Sequence, residues 1–218
     1  MPQAFPMTLA DFAGVLHVYD AKFYLGDVRA LDSTAGGDQV PSTGRARLWR
    51  GSFSLVAAYH ADAQEIDAAL DLLTQPGASF LVAPTERDGP SSDPDGAILS
   101  ASVPTISAIS SDNREIALSG LPSGYQLRRG DMLSFQYGAN PVRYAFHRVW
   151  SPRVASGAGA MSNIELTSPV RAGAASGVAV KLVRPELKAV ITQGGAERGT
   201  IGNLIRTGVS LSWEQTLR

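Results

Sequence analysis

The stretch Arg47-Leu48-Trp49-Arg50-Gly51-Ser52-Phe53-Ser54-Leu55-Val56-Ala57 alternates through its middle, with Trp49, Phe53 and Leu55 on one face and Arg50, Ser52 and Ser54 on the other. Successive side chains of an extended chain point to opposite faces, so this spacing reads as a half-buried strand. The pattern returns near the end of the sequence, where Val209, Leu211 and Trp213 alternate with Ser210, Ser212 and Glu214. That segment also reads as a strand, its polar face turned to solvent or to a neighbouring subunit.

Between these two strands one helix is predicted over 63–74. Asp62 is placed to cap it, Glu65 completes an Asp-x-x-Glu box, and Ile66, Leu70 and Leu73 form a single apolar stripe that should pack on the sheet containing 47–57. Pro76 and Gly77 end it, and residues 79–83 read as a strand. The chain then turns polar over 85–96, with Gly89, Pro90, Pro94 and Gly96, the composition of a boundary. Beyond it, 97–102, 115–119, 132–137, 142–150, 163–167 and 178–183 are short strand candidates spaced like those of a small barrel or sandwich. A second break falls at Arg184-Pro185. The remainder holds two strand candidates, 188–192 and 207–214, too few to fold alone, so they should complete the first unit. The expected organisation is a discontinuous first domain, 1–89 with 185–218, carrying an insertion over 90–184. The fold class is mainly β, with one helix on the first domain.

Composition bounds the function. With 44% hydrophobic and 18% charged residues, the 218-residue chain is of ordinary globular type. Nineteen Lys and Arg against twenty Asp and Glu leave a formal charge of -1, so no electrostatic footprint marks a nucleic-acid or acidic-membrane partner. The absence of cysteine removes disulfides, thiolate zinc sites and cysteine nucleophiles, and fits a protein made in a reducing cytoplasm. The first residues lack the basic opening and apolar core of a signal peptide, and no apolar run reaches the roughly 18 residues of a membrane helix. A soluble chain with no membrane partner is expected.

No motif points to catalysis. His17, His60 and His147 are scattered singly, outside the spacing of metal sites, and read as ordinary strand or loop residues. Neither a Gly-x-Ser-x-Gly elbow nor a Ser-x-x-Lys pair occurs. Asp62 and Glu65 could be imagined as an acid/base pair, but a helix start attracts carboxylates for capping and dipole reasons alone. Arg129-Gly130-Asp131 spells an adhesion tripeptide and is also what a tight turn prefers. Asp93-Pro94-Asp95-Gly96 lacks the later ligands of a calcium loop, and Gly157-Ala158-Gly159 lacks the Lys-Ser/Thr ending of a phosphate loop. Both read as turns. The expectation is no catalytic, cofactor-binding or metal-binding residue, and no cofactor.

The stretch Leu127-Arg128-Arg129-Gly130-Asp131-Met132-Leu133-Ser134-Phe135, followed by 144–149, Asn163-Ile164-Glu165-Leu166, 168–173 and Val180-Lys181-Leu182-Val183-Arg184-Pro185, resembles the Gly-Asp turn, strand, hairpin and Pro-containing loop of phage minor tail proteins. The terminal Gly208-Val209-Ser210-Leu211-Ser212-Trp213-Glu214 resembles the returning strand of their belt domain. In this arrangement the chain resembles the distal tail proteins of long-tailed bacteriophages. The resemblance implies a belt β-sandwich related to tail-tube proteins with an inserted small β-barrel of OB-like type. It also implies a homohexameric ring acting as a structural adaptor in the virion tail, between the tail-tube protein and the baseplate hub or tail tip, with DNA passing through the lumen without specific binding. A catalytic role is not part of it.

Two other function classes stand beside this one. In a carbohydrate-binding tail module for host attachment, Tyr125, Tyr137, Tyr144 and Trp150 would supply aromatic platforms, although burial in strands is the ordinary fate of such residues. A tail-associated cell-wall hydrolase would need a metal set, a cysteine or an acid pair, none of which the sequence displays.

Overall fold

The computed structural model describes residues 3–27, 29–33, 39–43 and 46–218, with 29–33 and 39–43 described by their backbone alone. Strands make up 42% of the structure and helices 11%, so the fold is mainly β. Two compact units divide it, Met1–Phe80 with Ala189–Thr216, and Leu81–Lys188 with Leu217–Arg218. The breaks read from the sequence at 90 and 184 lie inside the second unit, a few residues from its ends.

In the first unit a short helix α1 (Leu9–Val15) is followed by β1 (Val18–Leu25), a hairpin of β2 (Arg29–Ser33) and β3 (Gln39–Thr43), β4 (Trp49–Leu55), β5 (Ala58–Tyr59), helix α2 (His60–Leu73) and β6 (Phe80–Val82). The second unit runs through β7 (Thr105–Ile109), β8 (Glu115–Ser119), β9 (Gln126–Leu127), β10 (Met132–Tyr137), β11 (Arg143–Arg148), β12 (Arg153–Val154), β13 (Met161–Glu165) and β14 (Val180–Lys181). The chain returns through a long hairpin of β15 (Leu187–Ile201) and β16 (Ile205–Gln215).

The main sheet has the order β1-β4-β16-β15-β6, with β5 paired to the start of β16. The two strands legible from alternation are therefore direct neighbours, antiparallel, with Leu211 opposite Phe53 and Trp213 opposite Gly51. Strand β4 alternates buried and half-buried residues along its whole length, as its sequence predicts. Phe23 of β1 also faces Gly51. A Cβ on Gly51 would lie 2.0 Å from the Lys22 carbonyl oxygen and 2.4 Å from the Trp213 ring. With no side chain there, Phe23 and Trp213 approach to 5.0 Å, and Phe53 joins Trp213 at 5.8 Å. On the opposite face Arg50 pairs with Glu214 at 2.8 Å.

Helix α2 buries Ala63, Ile66, Leu70 and Leu73, the stripe expected from the sequence, against β16 and α1. Its start differs from expectation. The helix begins two residues before Asp62, Tyr59 holds the N-cap position without a side-chain bond, and Asp62 lies in the first turn. Capping by Asp62 is thus corrected: its negative charge still suits the helix N-terminus, but it closes no turn. A second helix, α1, was not anticipated. The Thr8 hydroxyl caps it by accepting from the Asp11 amide, and Phe12 enters the core, stacking on Phe80 at 4.9 Å.

The second unit contains two three-stranded sheets, β11-β10-β14 and β13-β8-β7. They join at both ends through antiparallel bridges, Val149 to Leu166 and Thr105 to Ala179, which closes a small barrel. Ile116, Leu118, Leu127, Leu133, Ile164 and Leu182 fill its centre. The strand expected over 97–102 is a run of turns instead. The buried Asp93 carboxylate accepts from the Ile98 and Leu99 amides, and the Ser100 amide donates to the Gly96 carbonyl, so the local backbone bonds are spent within the turn. Strand β7, just beyond it, was missed.

Two substitutions test this packing. Leu70→Ala removes a side chain with 0% exposure and should cost about 2–5 kcal/mol in chemical denaturation. Gly51→Ala should cost about 1–3 kcal/mol by forcing Trp213 or the β1 backbone aside, read as a lower thermal midpoint and altered tryptophan fluorescence.

Candidate functional site

The β15–β16 hairpin of the first unit carries the feature that stands out. Its register jumps between Ile191 and Ala196 on β15 while β16 advances only from Trp213 to Leu211, so residues 192–195 bulge out. Thr192 anchors the bulge by donating from Oγ1 to the Ser212 carbonyl at 3.1 Å. Farther out, Gly199 and Gly208 both take positive φ, 67° and 77°, and a Cβ on Gly199 would meet the Thr207 carbonyl oxygen at 2.2 Å. Paired strands twist most where such residues release them.

The twisted outer part is held on α2 by charge. Arg198 pairs with Asp67 at 3.1 Å and with Asp71, and Arg206 pairs with Asp67 at 2.6 Å. The two aspartates lie one helical turn apart on one face of α2, which is why one arginine spans both. His60, at the start of the helix, meets the Asn203 carbonyl at 3.3 Å through Nε2. These contacts fix a hairpin end that is apolar and uncovered: Leu204 is 67% exposed, Ile201 59% and Ile205 40%, with Tyr59 of β5 opposite Ile205 at 67%. At the other side of the sheet β1 ends the strand order, and its Tyr19 and Tyr24 are also exposed.

The residues singled out from the sequence fall as follows. His17 and His60 are exposed, while His147 is buried in the barrel against Phe135, its Nδ1 3.1 Å from the Ser168 hydroxyl. Glu65 is exposed on α2. Gly130 of the Arg129-Gly130-Asp131 turn has φ of 94°, and Asp131 is buried, accepting from the Arg128 and Ser91 amides and the Ser91 hydroxyl. Asp93 is likewise buried and also accepts from the Tyr125 hydroxyl, so the 93–96 segment is a turn organised around its first carboxylate. Gly159 closes a hairpin turn by donating to the Ser156 carbonyl. Of the aromatic platforms, Tyr125 and Tyr137 are buried, Tyr144 is half-buried, and Trp150 is exposed. Among the described residues no cluster of three or more His, Asp or Glu is placed to hold a metal ion, and no helix is long and apolar enough to cross a membrane.

Burial is the main cause that pushes the His147 pKa down to about 4; Arg171 adds to the fall and the bond with Ser168 opposes it. The imidazole is therefore neutral in the fold and charges more readily in the unfolded chain. Its contribution is complete above the ordinary histidine pKa of about 6.5 and is lost as pH falls towards about 4, on the order of 3 kcal/mol in all. Denaturation midpoints of the parent and of His147→Gln, compared across that window, should converge as the pH drops. Compared with known proteins, the chain matches no family model, and no curated protein matches it.

Proposed function

We propose that this protein is a structural subunit that closes into a ring with copies of itself and serves as an adaptor in a phage-type tail, between the tail tube and the baseplate hub or tail tip. The observation that carries the reading is the braced apolar end of the β15–β16 hairpin, where Ile201 and Leu204 are exposed and Ile205 and Tyr59 form an exposed cross-strand pair. Single exposed apolar residues are commonplace, whereas several large ones gathered at the end of one stiffened element favour a protein partner. The β1 edge, which among the described residues ends the sheet and exposes Tyr19 and Tyr24, offers a different surface for a second copy to meet. Contacts between two unlike surfaces are heterologous, and they close into a ring when the rotation per subunit divides a full turn.

The sequence resemblance adds what geometry leaves open: six copies per ring, tail-tube and hub proteins as neighbours, and DNA passing through the lumen. A near-neutral chain suits that last role, because a strongly basic wall would retain phosphates through counterion release. The virion tail is the location that follows, with synthesis in a bacterial cytoplasm.

The purified chain should assemble into closed rings at high concentration or cap isolated tail tubes, seen by mass measurement and negative-stain imaging. Ile201→Asp with Leu204→Asp should abolish assembly while shifting the thermal midpoint little, because both side chains are exposed in the subunit. A chain that stays monomeric and leaves purified tubes uncapped overturns the reading.

A further inference from the structure

We propose that a cleft beside Trp150 in the second unit is a binding site for a neutral saccharide. Trp150 follows β11 at the seam where Val149 and Leu166 join the two sheets of the barrel. The residue is 48% exposed, yet it is not loose. Its amide donates to the Glu165 carbonyl at 2.8 Å, and its own carbonyl accepts from Arg129 Nε at 3.0 Å. The Arg129 guanidinium also covers the ring, 4.4 Å from its centre, and takes no part in lining the cleft. One aromatic face is thereby stiffened by a cation while the indole still borders an open cavity.

That cavity measures about 330 Å³, at the small end of the range for small-molecule sites. Buried Leu166 contributes to its wall, and Arg114, Glu165, Thr167 and Ser168 bring polar groups to it. Arg114 forms no side-chain hydrogen bond or ion pair with another described residue, only a longer-range attraction to Asp112. The Glu165 carboxylate is likewise unengaged among the described residues; only its backbone is used, the amide donating to the Ser151 hydroxyl and the carbonyl accepting from Trp150.

Two other clefts of this unit differ at this point. In one, of about 350 Å³, Asp131 is saturated, Arg87 donates to Ser91, and Asp88 is paired with Arg184. In the other, of about 290 Å³, Lys181 and Glu186 neutralise each other at 2.6 Å. Of these three clefts, the one at Trp150 joins an exposed aromatic surface to charged groups unengaged among the described residues.

A pyranose matches this combination. Its C–H face carries slight positive charge and suits the negative face of an indole. Its hydroxyls both donate and accept, whereas a guanidinium only donates and a carboxylate only accepts, so adjacent hydroxyls can satisfy Arg114 and Glu165 together. One positive and one negative group sum to zero, which disfavours strongly acidic or basic ligands.

The test uses the full chain on an array of neutral oligosaccharides built from hexoses and N-acetylhexosamines, followed by titration of the best binder with tryptophan fluorescence as readout. Binding with a change in indole emission is expected. Trp150→Ala should weaken it about tenfold or more, the scale of one lost aromatic stacking contact. Glu165→Gln and Arg114→Gln should each weaken it measurably, and neither should unfold the chain, since neither side chain bonds another described residue. No binding on the array, binding confined to acidic ligands, or binding that survives all three substitutions overturns the proposal. The readout does not depend on assembly, so either outcome leaves the ring reading to its own test.

Discussion

The first unit depends on a vacancy. Gly51 sits at the centre of β4, between Phe23 on one neighbouring strand and Trp213 on the other, and the two rings meet across the space its missing side chain leaves. Three segments remote in the sequence are joined there by aromatic contact as well as by backbone ladders. The terminal strand can lie beside β4 only where Trp213 finds that space, and a register shifted by one residue would turn Trp213 to the polar face, where Arg50 and Glu214 are paired. The position of β16 in turn determines where the outer part of the hairpin meets α2.

The barrel relies on a different device. Its strands are short, β9, β12 and β14 being two residues each, and long loops join them. Two buried carboxylates organise those loops: Asp93 gathers the turn at 98–99 and the Tyr125 hydroxyl, and Asp131 gathers Ser91 and Arg128. A carboxylate that accepts several amide and hydroxyl bonds recovers much of what it loses on leaving water. The cost of removing either would fall on the loops around it, since their amides would be left without acceptors.

Much of the first unit was legible because its signals are local. Alternation marked β4 and β16, and a helical stripe marked α2, since each pattern is complete within a dozen residues. Helix α1 escaped because seven residues with a single buried position, Phe12, make no stripe. The outer half of β15 escaped for a related reason: Gly194, Gly195 and Gly199 and its exposed side chains read as loop, and only pairing with β16 makes it strand. Residues 97–102 misled in the opposite sense, their apolar members looking like a strand while a distant part of the loop, Asp93, claimed their amides. At the candidate sites the residue types were visible but their exposure was not. Tyr125 and Trp150 look alike in the sequence, and only the fold puts one under the loops and the other at the surface.

The chain departs from the main sheet along β6 and comes back along β15, and these two strands are neighbours in that sheet. Everything between them can therefore lengthen, shorten or be replaced in the course of evolution without moving a hydrogen bond of β1, β4 or β16. Changes within the barrel leave untouched the row of Phe23, Gly51 and Trp213, which constrains the sheet by close packing. A single gene can in this way hold two halves free to vary separately, tied by two passages of the chain.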